Sequence, residues 1–148
     1  MSDRQRVVID TSTLIGAVLR PNSVPRQAFL AAVGMYELCV SQATLAELRE
    51  VMQRPKFDRY LPLQERLDFC ALVGERARRW DVDTTSEQVA DGACRDVKDA
   101  KFLALALACQ AVALVSSDAD LLELHPWNGV PILTPAAFLL TLNSRSGS

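Results

Sequence analysis

The sequence predicts an α/β protein, with a central parallel sheet covered on both faces by helices. Short, continuously apolar runs alternate with longer stretches of helical period, and no hairpin signal joins neighbouring runs. Near-continuous apolar strands are the mark of strands buried on both faces, which in turn favours parallel βαβ units. The chain has 148 residues, 49% apolar and 23% charged, enough for one domain with its own core.

Val7–Ile9 is the first strand, and Thr11–Leu19 then reads as a helix stopped by Pro21. Pro25 opens a second helix through Ala32. Leu38–Val40 is a strand, and Ser41 is a good N-cap for "QATLAELREVMQR", which ends before Pro55. Pro62 opens a longer, densely charged helix to about Arg78. The stretch "WDVD" (80–83) alternates like a strand and leads into a polar connection through Asp91 and Gly92. Asp96 caps the helix "VKDAKFLALALACQ", apolar on every side and therefore buried. Val112–Val115 is a strand, Ser116–Asp120 a turn, Asp118–Leu122 a short helix and Pro131–Leu133 a last strand. Pro135 starts a final helix to about Leu142. These elements make one domain over residues 1–142, with no internal repeat, and "NSRSGS" (143–148) reads as a frayed tail.

Composition narrows the function. A net charge of −2 does not announce a general polyanion binder, so nucleic acid, if bound, must be met by a local patch or through metal ions. The four cysteines form no CxxC pair and His125 is the single histidine, which argues against a zinc site and for core thiols. "MSDRQR" lacks a signal-peptide pattern, and "FLALALACQAVALV" is short and broken by Gln110. The expectation is a cytoplasmic protein with reduced thiols.

The acidic positions carry the chemistry. Ligands of open α/β sheets bind outside the carboxyl ends of the strands. Asp10 ends the first strand and Asp118 follows the strand at Val115. Asp99 lies in the first turn of the buried helix and Glu47 in the second turn of the helix after Val40. Topology therefore brings four carboxylates from distant segments to one sheet edge. Each has a plainer reading: Asp10 and Asp96 as helix caps, Asp99 as part of a D-x-x-D box, Asp118 and Asp120 as turn residues. Asp118, nearer the strand end, is preferred to Asp120. Glu50 lies on the far face and can pair with Arg54, whereas Glu47 borders the apolar stripe. Crowded carboxylates repel, and a divalent cation relieves that repulsion. An all-oxygen set without nearby His or Cys suits Mg²⁺ or Mn²⁺, and such sites activate water against phosphates. Arg95, Lys98 and Lys101 flank this edge, either as a solvated helix start or as steering groups for a phosphate backbone. "HPWNG" (125–129) reads first as a turn with a packed indole, which leaves His125 outside the chemistry.

Four segments in order, "VVIDTSTLIGAVL", "SQATLAELREVM", "CRDVKDAKFLALALA" and "LVSSDADLLEL", together resemble the PIN-domain ribonucleases. The closest likeness is to bacterial VapC-type toxins of toxin–antitoxin systems. It spans Val7 to about Leu140. The resemblance implies a Rossmann-like three-layer α/β/α sandwich and an acidic cluster binding one or two Mg²⁺ or Mn²⁺ ions. Carried over, Asp10, Glu47, Asp99 and Asp118 are the ligands, and Ser12 and Ser116 match supporting hydroxyl positions. Ala100 also falls where many relatives place an acid, which leaves Asp99 or Asp96 to supply the third ligand. Asp99 is preferred, with Asp96 as cap or outer partner. The resemblance further implies an RNA substrate, a protein antitoxin and a homodimer. Two other readings stand beside it. One is a non-catalytic PIN-like scaffold for RNA or protein; the other is a phosphatase or phosphoacceptor domain with Asp10 as nucleophile. The usual D-x-D form of the latter fails at Ser12.

Overall fold

The apolar run Arg6–Ile9 forms β1, the central strand of the sheet. The structure is a computed structural model describing residues 4–146, with side chains described through Leu142. After β1 come α1 (Thr11–Leu19), α2 (Val24–Met35), β2 (Glu37–Val40) and α3 (Gln42–Met52). A one-turn 3₁₀ helix, Pro55–Phe57, leads to α4 (Leu63–Arg76), β3 (Arg78–Arg79) and α5 (Thr84–Ala90). A second 3₁₀ turn, Val97–Asp99, runs into α6 (Ala100–Ala108). The chain ends with β4 (Ala113–Val115), α7 (Ala119–Leu122), β5 (Ile132–Leu133) and α8 (Pro135–Ser146).

Among the described residues the sheet has five strands in the order β3-β2-β1-β4-β5, every pair parallel. Side chains alternate across it. Val7 and Ile9 join Leu38, Val40, Ala113 and Val115 in a core beneath α1, α2, α3, α4 and α8. Val8, Cys39, Leu114 and Ile132 face the other way, beneath α5, α6 and α7. The result is the three-layer α/β/α sandwich that the alternation of elements implies. All four cysteines are free and buried, and helix α6 is buried from Phe102 through Ala106.

Two expectations need correction. The strand expected at 80–83 is instead Arg78–Arg79. Trp80 still donates its amide to Val40 O (2.8 Å), and the chain then leaves the edge of the sheet. The expected polar connection after it contains a helix, α5. Asp83 caps that helix by accepting from Ser86 N (3.0 Å) and Ser86 Oγ (2.6 Å), and Ala90 buries against α6. The expected tail from Asn143 begins inside α8, and residues 147–148 lie outside the described residues. The "HPWNG" turn is a tight reversal. Asn128 and Gly129 both take positive φ (47° and 80°), as a type I′ turn requires, beneath a Trp127–Val130 bridge. His125 Nδ1 accepts from Ile132 N at 2.8 Å, so its ring braces the start of β5. No helix among the described residues is long and apolar enough to cross a membrane.

Helix α3 is aimed by its cap. Ser41 Oγ accepts from Thr44 N (3.2 Å), and Thr44 Oγ1 accepts from Ser41 N (2.9 Å), a reciprocal box. Ser41→Ala is expected to cost about 1 kcal/mol in chemical denaturation, the ordinary worth of such a cap.

Candidate functional site

The sheet order reverses between β1 and β4, and ligands of open α/β sheets bind at such a switch point. Asp10 and Ser116 are the first residues beyond these two strands. Asp10 N donates to Val115 O at 3.0 Å, which locks the two strand ends together. There a cleft of about 260 Å³ opens, lined by Asp10, Glu47, Asp96, Asp99 and Asp118. Arg54, Lys56, Phe57 and Lys98 complete its rim.

Each carboxylate is held differently. Asp10 is buried and caps α1: Oδ1 accepts from Thr13 N at 3.0 Å. Its Oδ2 accepts from Ser116 Oγ at 2.5 Å, and Ser12 Oγ lies 3.3 Å from both oxygens. Burial pushes the Asp10 carboxyl above its ordinary value, although these hydrogen bonds pull the other way. Asp118 accepts from Asp120 N (2.9 Å) and so caps α7, while its own amide donates to Ser116 Oγ (2.9 Å). Ser116 thus ties Asp10 to Asp118. Asp120 contributes its amide to that turn and does not line the cleft.

Asp99 points inward and Asp96 sits at the rim. Asp96 is exposed and accepts from Lys98 N at 2.9 Å, the capping role expected for it. Asp99 is buried, with Cys94 Sγ 3.8 Å from its Oδ2. Its carboxyl is pushed up to about 7, first by burial, then by contact with the Asp118 carboxyl and the charges of Asp118, Asp96 and Asp10. Ala100, the rival position for an acid, lines a neighbouring cavity instead.

Glu47 borders the cleft with both oxygens engaged. Thr11 Oγ1 donates to Oε2, and Lys101 Nζ donates to Oε1 at 2.7 Å. Glu50 is exposed, but no ion pair within 4 Å joins it to Arg54, which turns to the cleft. Arg95 is also exposed and lies 3.9 Å from Glu123, off the cleft. Arg54, Lys56 and Phe57 escape a reading by sequence, because their place depends on the 3₁₀ turn after α3. Of the chain's three lysines, Lys56 and Lys98 line the cleft, and Lys101 is bonded to one of its walls.

Among the described residues, no three His, Cys, Asp or Glu side chains form a ready cage for a metal ion. Glu47 is turned to Lys101 and Thr11, and Asp10 to Ser116 and Thr13. The donor set nonetheless fits a hard divalent cation. It offers carboxylate oxygens backed by hydroxyls, and burial together with the neighbouring carboxylates pushes Asp99 up to about 7.

This crowding has a pH signature. The Asp99 carboxyl lies above its unfolded value, so its contribution to stability is complete below about pH 4 and is lost as pH rises towards 7. The metal-free protein is expected to lose melting temperature across that interval. Asp99→Asn, melted in parallel in chelator, is expected to flatten the slope; an unchanged slope would assign it to other groups.

A family model for the PIN domain matches residues 6–120. Solved structures share the fold at low identity. VapBC2 from Rickettsia felis, described as bound to a DNA fragment from their promoter, is 16% identical with a TM-score of 0.62; the match covers 87% of this chain and 98% of that one. PAE2754 from Pyrobaculum aerophilum is 13% identical with a TM-score of 0.65, over 95% of this chain and 98% of its own. VapC20 from Mycobacterium tuberculosis, described as a Sarcin-Ricin loop cleaving toxin, is 16% identical with a TM-score of 0.56, over 84% and 98%. No curated protein matches the chain.

Proposed function

Since this chain belongs to the PIN-domain family, we propose that its acidic cleft is the active site of a divalent-metal-dependent endoribonuclease, the toxin of a toxin–antitoxin pair. One observation carries the reading: Asp10, Asp99 and Asp118 stand together at the switch point, where burial and the neighbouring carboxylates push Asp99 up to about 7. Asp10, Glu47, Asp99 and Asp118 are the residues to hold one or two Mg²⁺ or Mn²⁺ ions, with Asp96 at the rim. When bound, such a cation polarises a phosphodiester and makes water nucleophilic near neutral pH.

The chain's own groups do the rest. Ser116 and Thr13 keep Asp10 in a fixed rotamer, and Ser116 carries that order to Asp118. Lys98, Lys56 and Arg54, which line the cleft, are the groups to meet the RNA phosphates. This rim answers how a chain of net charge −2 engages RNA: the cations are few but gathered at one cleft. No side-chain base is assigned, and His125 is committed to β5. The reading of Asp10 as a nucleophile is disfavoured, because the usual D-x-D form of that chemistry fails at Ser12.

RNA as the substrate and the role of toxin draw support from the VapC20 neighbour, and a protein antitoxin from VapBC2. A homodimer belongs to the same reading. The test is incubation of the purified chain with end-labelled RNAs in Mn²⁺, Mg²⁺ or chelator. Metal-dependent products with 5′-phosphate and 3′-hydroxyl ends are expected. RNA binding without cleavage in any metal would favour the scaffold instead.

A further inference from the structure

Lys101 is the lysine of this region that is tied down. Its Nζ lies 2.7 Å from Glu47 Oε1, and the two side chains are only 25% and 17% exposed. The second oxygen of Glu47 takes the Thr11 hydroxyl. Each oxygen of this proposed metal ligand thus already holds a protein donor, one of them a cation. An ammonium and a divalent ion on one carboxylate repel each other.

Lys101 also has somewhere to go. Its backbone is fixed in α6, but it lines two cavities outside the acidic cleft, and a third that shares Glu47, Arg54 and Lys98 with the cleft. Two of them, of about 310 and 420 Å³, are also walled by Glu87 of α5. The stem is flexible, and Glu87 supplies a second carboxylate on that side.

We infer that Lys101 is a built-in counter-ion for Glu47, which yields its place when a divalent cation enters the cleft and swings towards the cavities beside Glu87. Lys101 is then a positioning residue. In the metal-free protein it holds Glu47 in register and neutralises it. On loading it sets the affinity, because metal binding must break the Lys101–Glu47 pair. This inference rests on the reading of the cleft as a metal site.

The experiment reads the lysine itself. The full chain is treated with acetic anhydride in chelator or in saturating Mn²⁺, and its three lysines are followed by mass spectrometry, with Lys56 and Lys98 as internal references. Lys101 is expected to be protected in chelator and several-fold more reactive with Mn²⁺. Calorimetric titration with Mn²⁺ is expected to show about tenfold tighter binding by Lys101→Met, and near wild-type binding by Lys101→Arg, which keeps the charge. Mn²⁺ bound by wild type with no change in Lys101 reactivity overturns the inference and leaves the metal site standing. So does Lys101→Met binding no tighter than wild type. A wild-type chain that binds no Mn²⁺ overturns the metal site, and the inference with it.

Discussion

Asp10→Asn is expected to remove the proposed metal-dependent RNA cleavage, by at least about a hundredfold, and at the same time to raise the melting temperature of the metal-free protein. Changing even the outer partners of a metal ligand commonly costs 10–100-fold, and a ligand costs at least that. The gain in stability follows from burial. Asp10 is 3% exposed, and burial pushes its carboxyl above its ordinary value, so it costs the fold stability as pH rises through that raised value. An amide of the same shape carries no charge. Its oxygen still accepts from Thr13 N, and its NH₂ can donate to Ser116 Oγ. Sites built for function commonly cost stability in this way. Single-turnover cleavage with excess enzyme and thermal melts in chelator at pH 7.5 check both halves. Cleavage equal to wild type would remove Asp10 from the mechanism, and a lower melting temperature would mean that burial of its charge is already compensated by the protein.

Arg66→Ala is expected to cost about 3 kcal/mol of stability, within the range for emptying a large buried site. Arg66 on α4 is fully buried, an unusual place for a guanidinium. Nη2 pairs with the Asp58 carboxylate, Nη1 lies 3.4 Å from Arg54 O, and the buried Nε has no partner. The side chain straps the segment from Arg54 to Asp58 onto the helix. That segment presents Arg54, Lys56 and Phe57 to the cleft. Alanine leaves a cavity and releases the strap. Arg66→Met keeps most of the volume and removes a charge whose partner, Asp58, is 63% exposed, so it is expected to cost less than alanine. Both variants are expected to weaken RNA binding, because the cationic rim loses its support. Urea denaturation ranks the stabilities, and filter binding of RNA in Ca²⁺ ranks the affinities. Equal destabilisation by Met and Ala would place the worth of Arg66 in its charge, not its bulk.

Much of this architecture is legible in the residues. Continuous apolar runs such as Val7–Ile9 and Ala113–Val115 announce buried parallel strands, and Ser41 marks the start of α3, whereas Asp96 caps the 3₁₀ turn that runs into α6. The meeting of Asp10, Asp99 and Asp118 follows from topology, because the end of a parallel strand and the start of the next helix share one edge of the sheet. Helix α5 is less legible. Its first turn, Thr84–Thr85–Ser86, is made of poor helix formers, and the helix exists because Asp83 caps it and Ala90 packs on α6. The edge strand is misplaced because "WDVD" alternates like a strand, whereas pairing with β2 selects two exposed arginines. The Lys101–Glu47 pair spans 54 positions and the Arg66 strap joins two elements across a turn. No local pattern announces either. Both depend on how α3, α4 and α6 lie against one another.

The central claim is that the carboxylates at the switch point hold a divalent cation. Anomalous diffraction from a crystal soaked in Mn²⁺ tests it most directly. The account predicts a manganese peak in the cleft, within coordination distance of carboxylate oxygens of Asp10 and Asp118, with Asp99 turned to it. Manganese bound elsewhere, or a cleft left without it at saturating concentration, would contradict the claim.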